Sequence, residues 1–146
     1  MDTRTVRFEG FERIHLVADV WGDDRDWPVL LMHGGGQTRH AWGKTAQIIA
    51  GNGWRAVSLD LRGHGDSEWA LNGDYSFTAY AADCVAVADQ LGRPPVLVGA
   101  SLGGVTAMLA RPGSHTCLRA PRGRRLGHHH RSGSGKPEPA PDRHRS

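Results

Sequence analysis

The sequence has no apolar run approaching the 18 or so residues of a membrane-spanning helix, so no membrane partner is expected. It has only two cysteines, Cys84 and Cys117, too far apart for a CxxC pair. A disulfide framework is therefore not indicated, and the plain reading is a cytoplasmic protein with reduced thiols. The opening residues, Met1-Asp2-Thr3-Arg4, lead into no apolar stretch, which predicts no secretory signal. Aromatic residues are few, 7% of the chain, and residues 111–146 contain no Phe, Tyr or Trp. A basic nucleic-acid binder interleaves its charge with aromatics or follows a known module. No nucleic-acid partner is expected here, despite a formal net charge of +3.

That charge is unevenly placed. Residues 1–110 carry 9 Lys+Arg against 13 Asp+Glu, whereas residues 111–146 carry 9 against 2. The basic character thus belongs to the second segment alone. That segment holds two leucines and no Val, Ile or Met, and Arg, Gly, Pro, His and Ser fill 27 of its 36 positions. Such a composition buries too little surface to offset the entropy of ordering, so a disordered tail is expected. Residues 1–110 read as one domain.

Within 1–110, strand-like and helix-like stretches alternate. Thr5–Glu9 and Ile14–Trp21 suggest two strands joined by a short turn. Val29–Met32, Arg55–Asp60 and Pro95–Val98 are short apolar runs of the kind that form buried parallel strands. Trp42–Ala50 places Ala46, Ile49 and Ala50 on one helical face, and Gly51-Asn52-Gly53 ends it. Ser76–Leu91 repeats Ala81, Cys84, Val85, Ala88 and Leu91 at helical spacing, with Ser76 as N-cap. Leu102–Ala110 is a helix of small residues. This alternation predicts an α/β fold, a mostly parallel sheet with helices on both faces.

Two patterns carry chemistry. Gly99-Ala100-Ser101-Leu102-Gly103 matches G-x-S-x-G between a strand and a helix. A serine on such a sharp turn projects its hydroxyl at a helix N-terminus, where backbone N–H groups favour negative charge. The plain alternative is a serine capping an ordinary helix. His33-Gly34-Gly35-Gly36 closes an earlier strand, and its glycines leave backbone donors open to approach, as an oxyanion requires. Phosphate binding is the alternative, but neither G-x-G-x-x-G nor the full G-x-x-x-x-G-K-[ST] is present.

A third pattern, Asp60-Leu61-Arg62-Gly63-His64-Gly65-Asp66-Ser67, lies between them. In this order the three motifs resemble the α/β-hydrolase superfamily over about residues 5–110, and specifically its serine esterase, carbon–carbon hydrolase and cofactor-free haloperoxidase branch. Epoxide hydrolases and haloalkane dehalogenases place aspartate at the elbow, so Ser101 speaks against them. The resemblance implies Ser101 as nucleophile and the N–H groups of Gly35 and Leu102 as the oxyanion hole. It implies His33 as a shaper of that turn and not the base, with Gly34, Gly99 and Gly103 in support. Trp42 matches an aromatic that lines or backs the pocket. Arg62, His64 and Asp66 would brace the loop after the fourth strand, with Asp60 a strand-end carboxylate. The substrate would be a small ester-like molecule, with no metal or organic cofactor.

What should follow is harder to find. In this family the chain order is Ser, then Asp or Glu, then His, and only 45 residues follow Ser101. The candidate acids Glu138 and Asp142, and the candidate bases His115, His128, His129, His130 and His144, all fall in the basic tail. The expectation is an incomplete α/β-hydrolase fold, truncated, with weak or no activity. A non-catalytic fragment or pseudoenzyme and a haloperoxidase-like perhydrolase are the alternatives. The tail's composition suggests a shifted reading frame. Arg124-Arg125-Leu126-Gly127-His128-His129-His130, written in GC-rich codons, reads Val-Val-Ser-Asp-Ile-Thr one nucleotide later. A basic linker or a degenerate gene end is the plainer explanation.

Overall fold

The structure is a computed structural model that describes residues 2–110. The basic tail and the reading-frame hypothesis concern residues outside that range.

Among the described residues five strands form one sheet: β1 (Thr3–Glu9), β2 (His15–Trp21), β3 (Trp27–Met32), β4 (Trp54–Leu59) and β5 (Val96–Gly99), in the order β1-β2-β4-β3-β5. Three helices connect and flank them: α1 (Gly43–Gly51), α2 (Phe77–Gln90) and α3 (Leu102–Leu109). Every sequence-predicted element is present, with ends shifted by a residue or two. β3, β4 and β5 run parallel, as buried apolar runs between helices should. β1 and β2 run antiparallel because only the short turn around Phe11–Arg13 joins them, and a short connection cannot return a strand in parallel. β2 is also antiparallel to β4.

Alternation along the central strands divides the core between the two faces. Leu16, Ala18, Val20, Leu30, Met32, Val57 and Leu59 point to one side and meet Tyr80, Cys84, Val87 and Leu91. Those last four sit at helical spacing on and just beyond α2. Val29, Leu31 and Ala56 point the other way and meet Ala46 and Ala50 of α1. Leu16, Leu30, Leu31 and Leu59 are wholly buried, each contributing about 1.5–3 kcal/mol. Ser76 caps α2, its hydroxyl accepting from the Ala79 N–H at 3.2 Å.

Two edges are unlike. β1 is exposed except at Val6 and Phe8 and carries Arg4, Arg7 and Glu9, charges that discourage pairing with another chain. Among the described residues β5 pairs with β3 alone, and Val96, Leu97 and Val98 are half-buried. No helix among the described residues is long and apolar enough to cross a membrane.

Candidate active site

The C-terminal ends of β3, β4 and β5 assemble the site. Ser101 stands between β5 and α3 with φ 50° and ψ −113°, a left-handed conformation that a side chain rarely adopts. Backbone strain of this kind persists only where the surroundings impose it. Here the crossing of β5, α3 and the end of β3 does so. A Cβ on Gly99 would overlap the Gly103 carbonyl, and one on Gly103 would overlap the Met32 carbonyl. The Gly103 N–H donates to the oxygens of Ala100 (2.9 Å) and His33 (3.1 Å), and the Ala100 N–H donates to Met32 O (3.2 Å). Both flanking glycines are thus required by close backbone approach, and Ser101 is exposed.

The His33–Gly36 turn abuts this elbow. A Cβ built on Gly34 would lie 3.6 Å from the Ser101 Cβ, and one on Gly35 would lie 4.0 Å from Leu102 Cδ2. The amides of the turn are not equivalent. The Gly34 N–H donates to Gln37 Oε1 and the Gly36 N–H to His64 Nε2, both at 3.1 Å. Among the described residues, the N–H groups of Gly35 and Leu102 have no protein acceptor.

Neither His33 nor His64 has a nitrogen to spare. His33 is fully buried; its Nε2 accepts from the Leu61 N–H at 3.0 Å, so Nδ1 carries the proton and donates to Gly34 O at 2.7 Å. His64 Nε2 accepts from Gly36, so its Nδ1 donates to Arg62 O at 2.9 Å. The tautomers follow from the partners. Burial pushes the His33 imidazole below its ordinary value, against the hydrogen bond to Gly34.

That shift has a sign. His33 takes up its proton more readily unfolded than folded, so its contribution to stability is whole above about pH 6.5. It is lost as the pH falls from there through the lower folded value. The urea midpoint should therefore decline on acidification from pH 7.5 to pH 5. A midpoint that is flat or rising over that range is incompatible with a neutral, buried His33.

Beneath the turn, buried charge ties the loops together. Asp60 is wholly buried and accepts from the Arg39 N–H (2.6 Å), the Arg39 guanidinium (2.5 Å) and the Asp66 N–H (2.9 Å). Burial opposes the charge of Arg39, but Asp66, Asp60 and Asp19 outweigh it and hold the guanidinium above its usual range. Arg62 and Asp83, both about 1% exposed, form a bidentate pair at 2.6 and 2.8 Å, which raises Arg62 despite its burial. Asp83 also accepts from the Phe11 N–H at 2.8 Å.

The structure thus brings together Ser101, His33, Gly34, Gly35, Gly99, Leu102 and Gly103. Trp42 is half-buried against the cluster of Trp21, Val29 and Leu31 on the α1 side of the sheet. Asp66 binds Arg39 and His64 binds Gly36, so the loop after β4 braces the turn after β3 as well as itself. Gly43-Lys44-Thr45 opens α1, but Thr38 stands where a phosphate loop needs its first glycine. The candidate acids and bases Glu138, Asp142, His115, His128, His129, His130 and His144 lie outside the described residues. Sequence reasoning missed Arg39, Gln37 and Asp83. Asp83 did leave a signal, since an acid within the apolar face of α2 calls for a buried cation.

Comparison with known proteins agrees with this fold. A family model described as the alpha/beta hydrolase family matches residues 29–143. An esterase of Mycobacterium tuberculosis is 40% identical over 81 residues, 55% of this chain and 26% of that protein. A non-heme haloperoxidase of Rhodococcus erythropolis is 35% identical over 103 residues, 68% of this chain and 36% of that protein. The solved thioesterase domain from the curacin biosynthetic pathway superposes with a TM-score of 0.67 at 29% identity, covering 73% of this chain and 40% of that domain. The chain spans between about a quarter and two fifths of the length of these relatives.

Proposed function

This chain belongs to the alpha/beta hydrolase family, and from that premise we propose that it carries the acylating half of a serine hydrolase acting on small ester-type substrates. The observation that carries the reading is the placement of Ser101, strained and exposed at the head of α3, beside the free amides of Gly35 and Leu102. Ser101 Oγ attacks the acyl carbonyl, and the oxygen that gains charge settles between those two N–H groups. Collapse of the tetrahedral intermediate breaks the bond to the leaving alkoxide, which takes up the proton lost by Ser101. Water then releases the acid from the acyl-serine.

The proton needs a carrier, and neither His33 nor His64 is free to be one, since both ring nitrogens of each are engaged. The base must be another group than these two, or acylation proceeds slowly. The haloperoxidase relative favours a second reading, perhydrolysis at the same serine, in which peroxide replaces water in the deacylating step. Both readings need a reactive Ser101, so covalent trapping of that hydroxyl by a fluorophosphonate tests them together. The expected adduct is on Ser101 and absent from Ser101→Ala.

A further inference from the structure

We propose that His64 is a positioning residue for the oxyanion hole, holding the turn after β3 so that the Gly35 N–H faces the space beside Ser101. The inference rests on the reading of Ser101 as nucleophile. It begins from a weakness in the turn itself. Three successive glycines, Gly34 to Gly36, have no side chain to restrict them, and Gly36 sits at φ 75°. Such a segment holds a single geometry only where other groups lock its peptides.

Each peptide of the turn has its own lock. The carbonyl of Gly34 accepts from His33 Nδ1 at 2.7 Å and from the Gln37 N–H at 3.1 Å. In a planar trans peptide the N–H points opposite to the carbonyl, so holding the Gly34 carbonyl directs the Gly35 N–H the other way. The next peptide, between Gly35 and Gly36, is held by a side chain from a different loop, 28 residues on: the Gly36 N–H donates to His64 Nε2. If that contact is lost, this peptide can rotate. The peptide that carries the Gly35 N–H is then held at its Gly34 carbonyl alone, with no fixed neighbour on its other side to keep it from tilting.

His64 is itself fixed. Its Nδ1 is anchored on the Arg62 carbonyl, its ring lies 4.9 Å from the His33 ring, and Arg62 is pinned by Asp83. The chain of contacts thus runs from a buried ion pair to the turn that presents the donor. The loop after β4 is a template for the oxyanion hole and not only a self-contained brace.

Two substitutions in the 146-residue chain separate hydrogen bonding from ring packing. His64→Phe keeps the ring against His33 but offers no acceptor. His64→Gln offers an oxygen at about the reach of Nε2 but no ring. The readouts are the rate at which a fluorophosphonate modifies Ser101 and the amide exchange of Gly36 by NMR. The proposal expects His64→Gln to keep most of the rate and the Gly36 protection. His64→Phe should label about tenfold more slowly or worse, as misplacement in an active site does, and should lose that protection. A purely structural role for the ring gives the reverse order. His64→Phe labelling at the wild-type rate with Gly36 still protected overturns the proposal. If Ser101 is not modified even in the wild-type chain, the nucleophile reading fails and amide exchange alone decides. Loss of Gly36 protection confined to His64→Phe then supports the positioning role, and equal exchange in all three proteins refutes it.

Discussion

Gly103→Ala should prevent the elbow from forming and destabilise the fold by about 3 kcal/mol or more. Overpacking of a core commonly costs about 1–3 kcal/mol when side chains can shift aside. Here the added methyl meets the Met32 and His33 carbonyls, which are backbone and cannot move without disturbing the end of β3. Gly99→Ala should behave alike, because its methyl meets the backbone of Gly103. Gly51→Ala is the contrast. It lies at the end of α1 with nothing within 4 Å of the new methyl, and should be neutral or slightly stabilising, since Ala outranks Gly in a helix. Urea unfolding of the three variants gives the comparison. If Gly103→Ala and Gly51→Ala unfold at the same midpoint, β3, β5 and α3 do not cross as described.

The second large effect is expected at the Arg62–Asp83 pair. Removing one partner of a buried ion pair leaves the other uncompensated, at a cost of about 3–5 kcal/mol. Against a typical total stability of about 5–15 kcal/mol, Arg62→Met should leave the chain barely folded. Arg62 also donates to the Asp74 carbonyl at 2.8 Å, which adds to the loss. Replacing both partners, Arg62→Met with Asp83→Leu, should recover a large part of it, because no bare carboxylate then remains. Recovery should be incomplete, since the Phe11 N–H loses its acceptor as well. A single-variant loss under about 1 kcal/mol, the range of an exposed pair, would show that the pair is not buried in solution.

Much of this architecture was legible in the order of residues, for identifiable reasons. The α2 helix could be read because Cys84 and Leu91 recur at its period and Ser76 caps it. The strands β3 and β5 were visible as apolar runs that stop at glycines. The elbow was legible because close backbone approach admits only glycine at 99 and 103, and that demand is written into a local pattern. The antiparallel pairing of β2 with β4 left no such trace, because neighbours in a sheet are chosen across the fold and not along the chain. Arg39 was invisible for the same reason. An arginine in a polar loop looks solvated until Asp19, Asp60 and Asp66 are seen to surround it. His64 was read as bracing its own loop, and its partner at Gly36 became apparent only when β3 and β4 were brought side by side.

Everything proposed for this site depends on Ser101 being a nucleophile that faces the backbone donors of Gly35 and Leu102. The most direct measurement is prolonged incubation of the 146-residue chain with a fluorophosphonate, followed by intact-mass analysis and peptide mapping. One adduct per chain is expected, on the peptide containing Ser101. It should accumulate slowly, because His33 and His64, the histidines that hold the turn, have both ring nitrogens engaged, and it should be absent from Ser101→Ala. An adduct on a different serine, or none on Ser101 while the protein remains folded, would contradict it.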